Sequence, residues 1–168
     1  ADLVWRGVRP FGTAPHVIDP ASGYLVNSNH SPFKASGAAD NPNPDEFPPH
    51  FGVDRRETNR GVRIQQLYGA DESITAEEFV AYKMDDLYAE TSRLRRLIDA
   101  LVGDESAKND PVFTEALGVL ADWNGSTNRA NRSAALAVRT GHLALGYLLN
   151  GEGAEAPDPV EALKQAAA

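Results

Sequence analysis

The chain has 168 residues, 42% of them hydrophobic, which is enough for one ordinary domain with a sizeable core. Its formal net charge of −8 argues against nucleic-acid binding, because such binding needs Lys and Arg to neutralise phosphates. The absence of cysteine excludes disulfides, thiolate nucleophiles and cysteine-ligated metals, and no run of about 18 apolar residues offers a membrane span.

The first third of the chain is predicted to be an irregular arm. Most of the prolines precede residue 50, and NPNPDEFPPHFG at residues 41–52 cannot form regular structure. Only DLVWRG at residues 2–7 and GYLVNS at residues 23–28 have the composition of short strands. We therefore place a boundary after residue 54 and predict an arm with short strands over residues 1–54. So little periodicity is typical of a segment that lies across a larger protein.

Residues 55–168 are predicted to be helical, which makes the fold class mainly α. Shorter helices are expected at residues 59–68, closed by Gly69, at residues 133–151, and after the pairs Asp110-Pro111 and Asp158-Pro159. In each pair, Asp is the expected N-cap and Pro the first helical residue. His142 lies within the second of these helices, and we interpret it as a packed or edge histidine and not as a catalytic one.

The longest helix is predicted over residues 75–101. Thr75 and Glu78 form a T-x-x-E capping box at its start, and Gly103 follows its end. One apolar stripe at three-, four- and seven-residue spacings runs through this segment, formed by Val80, Met84, Leu87, Leu94, Ile98 and Leu101. We expect this stripe to be buried.

Two asparagines, Asn27 and Asn29, follow the second strand candidate. Asparagine at this density usually marks a turn; the alternative is a side-chain amide aimed at a group that develops negative charge. The sequence contains no phosphate-binding glycine loop, nucleophile elbow or His-x-x-x-His pair, and its four histidines are widely scattered. From the residues by themselves, the chain is a mostly helical protein with an asparagine-rich arm.

Four motifs occur in an order that is more specific than any one of them alone. The first two are WRGVRPF at residues 5–11 and IDPASGYLVNSNHSP at residues 18–32. The third is NRGVRIQQLYGADESITAEEF at residues 59–79, which contains an Arg-x-x-Arg-Ile stretch, and the fourth is LGVLADWNG at residues 117–125. This set resembles the penicillin acylase family of N-terminal-nucleophile amidases, which includes penicillin G acylase, cephalosporin acylases and acyl-homoserine lactone acylases. Asn124 stands where the family usually has Asp in its Trp-Asp-Gly segment.

The resemblance implies an αββα hydrolase that cleaves N-acyl amides. A serine at the start of the large subunit attacks the amide carbonyl, with its own α-amino group as the base. The second Asn of Asn-x-Asn donates to the oxyanion, and this residue is Asn29 here. The first Arg of Arg-x-x-Arg-Ile lies near the nucleophile and corresponds to Arg60, with Arg63 as the second. His30 is interpreted as a loop neighbour.

The resemblance also carries expectations about the rest of the enzyme. Because the chain begins with Ala1 and lacks the nucleophilic serine, we expect it to be an internal part of the large subunit, inactive when isolated. Its partners would be the remaining large subunit, the small subunit of the same precursor and an N-acyl amide substrate. No cofactor is required for the chemistry. The resemblance allows a structural calcium ion and implies a periplasmic or secreted location. It assigns no calcium ligands, because the proline-rich segment around Asp40 aligns too poorly to carry a ligand role over to that residue. The alternative is a free-standing helical interaction module without catalytic activity.

Overall fold

The computed structural model describes residues 7–105, 111–145 and 158–168. The chain folds into two compact units, Ala1–Tyr82 and Lys83–Ala168. The division proposed after residue 54 rests on composition and stays a prediction. Helices dominate the described residues, which confirms the mainly α fold class. None of these helices combines the length and the apolarity that crossing a membrane requires.

The described part of the arm consists of turns and short 3-10 helices, at Phe11–Thr13, Pro32–Lys34, Pro44–Glu46 and Pro49–Phe51. The strand prediction for residues 23–28 is wrong. Two isolated hydrogen bonds hold this segment, where a strand would need a ladder of backbone pairs. Val26 N–H donates to the Ala35 carbonyl at 2.8 Å, and the Ser36 hydroxyl donates to the Tyr24 carbonyl at 2.8 Å. Residues 2–6 of the other strand candidate lie outside the described residues.

Helix α1, Asn59–Tyr68, has the predicted bounds. The Thr58 hydroxyl accepts the Gly61 N–H at 3.1 Å and so satisfies one of the unpaired donors of the first turn. Gly69 ends the helix, and its position close to the Tyr24 hydroxyl leaves little room for a larger side chain. Helix α1 is the element on which the asparagine loop of the arm rests.

Helix α2, Ala76–Lys83, begins with the predicted capping box. Thr75 N–H donates to Glu78 Oε2 at 2.9 Å, and Glu78 N–H donates back to Thr75 Oγ1 at 3.2 Å. The Tyr82 hydroxyl donates to Asp71 Oδ2 at 2.7 Å, which ties the last turn of α2 to the connection that precedes it.

The single helix predicted over residues 75–101 is wrong. Two helices stand in its place, α2 and α3, the latter spanning Arg93–Val102. The longest helix among the described residues is α5, Ala134–Leu145. The predicted stripe divides accordingly: Val80, Met84 and Leu87 are exposed, whereas Leu94, Ile98 and Leu101 are buried.

Pairing with a distant segment explains the break. Tyr88 N–H donates to the Gly125 carbonyl at 2.8 Å, and Leu87 forms an isolated antiparallel bridge with Ser126. These backbone groups therefore form hydrogen bonds with a distant segment, and they do not continue the helical hydrogen bonds of α2. The helix restarts only at Ser92, whose hydroxyl accepts the Arg95 N–H at 3.2 Å as an N-cap.

The second unit is a helical bundle of α3, α4 (Pro111–Ala121), α5 and α6 (Pro159–Ala167). Asp158 caps α6 as predicted, accepting the Val160 N–H at 2.8 Å. The helix after Asp110-Pro111 begins at the predicted proline, although Asp110 and the predicted residues 146–151 after α5 lie outside the described residues. His142 is exposed in the last turn of α5.

The core of this unit is apolar and tightly packed. It contains Leu94, Ile98, Leu101, Phe113, Ala116, Leu117, Leu120, Trp123, Ala134, Ala137 and Leu163. The indole N–H of Trp123 is satisfied by the Ser126 carbonyl at 2.9 Å, and its ring meets Tyr88 edge-on with centroids 5.7 Å apart. Gly141 on α5 lies so close to Leu94 on α3 that a Cβ atom there would overlap the Leu94 Cδ1 atom.

Candidate functional site

The asparagine loop makes a sharp turn at Asn29. This residue has φ +56°, in the left-handed region that Asn tolerates better than most residues with a side chain. Its N–H donates to Asn27 Oδ1 at 3.4 Å, a side-chain-to-backbone contact typical of Asx turns. Asn27 therefore acts as a turn residue, while the Asn29 side chain is exposed.

Arg60 fixes the direction of the Asn29 amide. Its Nη2 donates to Asn29 Oδ1 at 2.9 Å and to the Ser28 carbonyl at 3.3 Å. Since a guanidinium has only donors, it selects the oxygen end of the amide. The nitrogen end, Nδ2, then faces away from Arg60, and within the described residues it donates to no partner. The structure thus brings the two predicted site residues together and leaves two N–H donors of Asn29 exposed.

His30 lies beside this pair with both ring nitrogens engaged. Nε2 is 2.9 Å from the Lys34 carbonyl, which can only accept, so Nε2 carries the proton. Nδ1 accepts the Ser28 N–H at 3.1 Å and is 2.7 Å from the Ser28 hydroxyl, so this nitrogen acts as an acceptor. This arrangement agrees with the interpretation of His30 as a loop neighbour and leaves no ring nitrogen for a substrate.

Helix α1 holds the loop through contacts on both sides of Asn29. The Ser31 N–H donates to the Arg56 carbonyl at 3.3 Å, just before the helix, and Gln65 Nε2 donates to the Lys34 carbonyl at 2.6 Å. Gly61 is buried against the His30 side chain, and a Cβ atom on Gly61 would lie 3.2 Å from His30 Cγ. A side chain at this position would make a tight contact with the His30 ring, which would have to move slightly.

Several of these supporting residues escaped the sequence analysis. Ser28, Gln65 and Gly61 act through partners that are 2 to 31 residues away in the chain, and no local pattern announces such contacts. Arg63, the second arginine of the motif, donates from Nη1 to Gln66 Oε1 at 3.0 Å along α1.

Comparison with known proteins identifies the family. A model of the penicillin amidase family matches residues 1–166, nearly the whole length. The chain belongs to the penicillin amidase family. Membership confirms the resemblance seen in the motifs and supports, at the level of the family, an acylase-like amidohydrolase that acts on an amide substrate and is made as a multi-subunit precursor.

The structural calcium ion that the resemblance allows stays a prediction. The described residues contain no group of three or more His, Asp or Glu side chains placed to hold a metal ion. Both Asp40 carboxylate oxygens accept backbone N–H groups, from Ala21 at 3.0 Å and from Ser22 at 2.9 Å. Hydrogen bonds from the side chain and backbone of Ser22 hold the pKa of Asp40 below its ordinary 3.8. Asp40 therefore fastens two parts of the arm together.

Proposed function

We propose that this chain supplies the oxyanion-binding loop of a penicillin-amidase-type acylase, which hydrolyses the amide bond of an N-acyl compound. One observation carries the proposal. Arg60 holds the oxygen end of the Asn29 amide at 2.9 Å, so the nitrogen end is presented as a donor. A residue that served only the turn would need its backbone and not an oriented, exposed side chain.

The proposed reaction uses a serine that we place, on the family resemblance, outside these 168 residues. Its hydroxyl oxygen adds to the carbonyl carbon, and its proton passes to the serine's own α-amino group, which titrates at about 7.7–8 in the free state. The carbonyl oxygen becomes an oxyanion. The intermediate then expels the amine, which takes up the proton, and water hydrolyses the remaining acyl ester to a carboxylic acid.

Asn29 acts at the step where charge develops. An N–H donor aimed at the oxyanion stabilises the transition state more than the neutral substrate, and losing one such donor typically costs about 2.7–4 kcal/mol. The Asn29 side chain is exposed, and the hydrogen bond from Arg60 to its Oδ1 favours the rotation that leaves Nδ2 as a donor. The site therefore needs no reorganisation when the intermediate forms.

The same resemblance supports proposals about the enzyme that contains this loop and about its location. We propose that the chain forms part of an αββα enzyme assembled with a small subunit of the same precursor, in the periplasm or outside the cell. The acyl and amine groups of the substrate would be selected by parts of the enzyme other than this loop, so penicillins, acyl-homoserine lactones and related N-acyl amides share one proposed chemistry.

The test is replacement of Asn29 in the mature enzyme that contains this chain. Asn29→Ala should lower kcat on a chromogenic acyl anilide by roughly a hundred- to a thousandfold, with a much smaller change in KM. Asn29→Gly removes the same amide but suits φ +56° without strain, so it should lose kcat equally. Asn29→Asp should be no better, since a carboxylate has no N–H to donate.

Controls separate catalysis from folding. Asn43→Ala is a matched control, because Asn43 is an exposed turn asparagine elsewhere in the arm, where it accepts the Asp45 N–H at 3.1 Å; kcat should not change. Asn27→Ala should act through stability, as expected of a turn residue. Only fully processed, folded variants are compared. Near-normal kcat in processed Asn29→Gly would refute the proposal and favour a non-catalytic role for the loop.

A further inference from the structure

The His30 side chain bridges the two ends of the turn that contains Asn29. Nδ1 accepts the N–H of Ser28, which precedes Asn29, and lies 2.7 Å from the Ser28 hydroxyl, while Nε2 donates to the carbonyl of Lys34, which follows it. The ring itself lies against Gly61 in the first turn of α1. One side chain thus contacts the backbone before the turn, the backbone after it and the helix beneath it.

This bridge lies where the backbone needs support. Asn29 is one of two described residues other than glycine with positive φ, and such a conformation persists only when its surroundings fix it. The Asn29 N–H contact to Asn27 Oδ1 is long, at 3.4 Å. Shorter contacts come from the His30 ring, from Arg60 and from Gln65, which donates to the Lys34 carbonyl at 2.6 Å, so these three side chains hold the turn.

We infer that His30 is a positioning residue for the oxyanion donor. It touches neither the nucleophile nor the substrate; it acts by holding the Ser28–Asn29 backbone so that the Asn29 Nδ2 reaches the reacting carbonyl oxygen. The inference rests on the function proposed for Asn29. It adds a second residue that sets the donor's position, alongside Arg60, which sets the direction of its amide.

The two arms of the bridge are separable by substitution. In His30→Asn, the side-chain oxygen stands near the position of Nδ1 and can still accept from Ser28. In His30→Gln, the amide nitrogen stands near the position of Nε2 and can still donate to the Lys34 carbonyl. His30→Ala removes both arms, whereas Ser28→Ala removes only the hydroxyl contact and leaves the N–H contact in place.

The expected result is a loss of kcat graded by the contacts that remain. Displacement of a catalytic group by about 1 Å can cost a hundredfold, so His30→Ala should lower kcat roughly 10- to 100-fold with little change in KM. His30→Asn and His30→Gln should each recover part of this loss. Thermal unfolding of each processed variant reports any general loss of stability.

A double-mutant cycle with Asn29→Gly shows whether His30 works through Asn29. If it does, adding His30→Ala to Asn29→Gly should change kcat by less than about twofold, because the group being positioned is gone. A residue that only supports the fold would lower kcat by the same factor in both backgrounds. All kinetic values come from the processed enzyme with a chromogenic acyl anilide.

The possible results distinguish the oxyanion role of Asn29 from the positioning role of His30. If Asn29→Gly keeps normal kcat, the proposed oxyanion role fails and the inference fails with it. If Asn29→Gly is slow but His30→Ala has normal kcat, or is equally slow in both backgrounds, only the positioning role is overturned. Should His30→Ala not mature, Ser28→Ala and His30→Gln take its place. A kcat loss in these variants that vanishes in the Asn29→Gly background supports the inference, and unchanged kcat in both variants refutes it.

Discussion

Replacing Gly141 with Ala tests how closely two helices approach in the second unit. Gly141 is buried on α5, and an added Cβ atom would overlap Leu94 Cδ1 on α3. Leu94 is itself only 6% exposed, so its side chain has little free space into which it can move. We expect Gly141→Ala to destabilise the bundle.

The magnitude follows from two opposing terms. Replacing Gly with Ala inside a helix stabilises it by about 0.8–1.0 kcal/mol, whereas forcing an extra methyl group into a packed core costs about 1–3 kcal/mol. Gly118 supplies a matched control, because it lies within α4 and has no atom within 4 Å of the position a Cβ would occupy. Gly118→Ala should therefore stabilise by about 1 kcal/mol, and the difference between the two variants isolates the packing penalty of about 1–3 kcal/mol.

Urea unfolding followed by tryptophan fluorescence measures this difference. Trp123 is 3% exposed and lies in the core of the same unit, so its emission reports that unit when Trp5→Phe removes the other tryptophan. The slope of the free energy of unfolding against urea should stay the same, so that the midpoints give the change in stability directly.

A combination with Leu94→Ala checks the cause. Leu94→Ala will cost about 2–5 kcal/mol by itself, but it removes the atoms that the Cβ at residue 141 would overlap. The penalty of Gly141→Ala should then disappear, giving a coupling energy of about 1–3 kcal/mol between the two positions. Equal stabilisation by Gly118→Ala and Gly141→Ala, or strictly additive effects with Leu94→Ala, would show that the helices are not in this close contact.

Two further predictions concern activity and pH. The 168-residue chain by itself should release no chromophore from acyl anilides above a buffer control, because we place the nucleophile elsewhere; measurable turnover would contradict this. The backbone N–H of Ser73 and then the Tyr82 hydroxyl lower the pKa of Asp71 below 3.8, so this contribution to stability is present above that pH and is lost as pH falls through the lower folded-state value. Tyr82→Phe should raise the Asp71 pKa in an NMR titration, whereas an unchanged value would exclude the hydroxyl as a cause.

The helix ends that the sequence predicted well are those set by local contacts. Each of these ends depends on groups at most four residues apart. They are the start of α1 and its closure at Gly69, the Thr75 and Glu78 capping box, and the Asp158 cap. A side chain that satisfies a nearby backbone donor does so almost regardless of the rest of the fold. Such signals can therefore be recognised from the sequence directly.

The failed helix over residues 75–101 shows the limit of periodicity. Its apolar spacing continues through Leu87, yet the backbone there pairs with residues 125–127, which no local pattern indicates. The sequence did contain one relevant signal, Ser92, a good N-cap that lies in the gap of the stripe between Leu87 and Leu94. The apolar stripe favoured one long helix, but the pairing with a distant segment decided the structure.

The candidate site divides in the same way. Asn29 and Arg60 were found through the family's motifs, and the structure places them in contact. The bridge made by His30 was not predicted, because its geometry depends on how α1 packs against the loop at Gly61. A histidine in a loop has no fixed partners in the sequence, and only the packed structure shows that both nitrogens are used.

The contacts around Asn29 also limit what each can contribute. If Arg60 only chose between two rotations of the amide, its loss would halve the population with the donor outward, about a twofold effect if both rotations were equally stable. Arg60 also binds the Ser28 carbonyl, the residue whose N–H and hydroxyl reach His30. Arg60 therefore binds the carbonyl of Ser28 and His30 binds its N–H, so the two side chains fix the same short piece of backbone. In the proposed function of Asn29, holding that backbone in its left-handed turn contributes more than selecting the rotation of the amide.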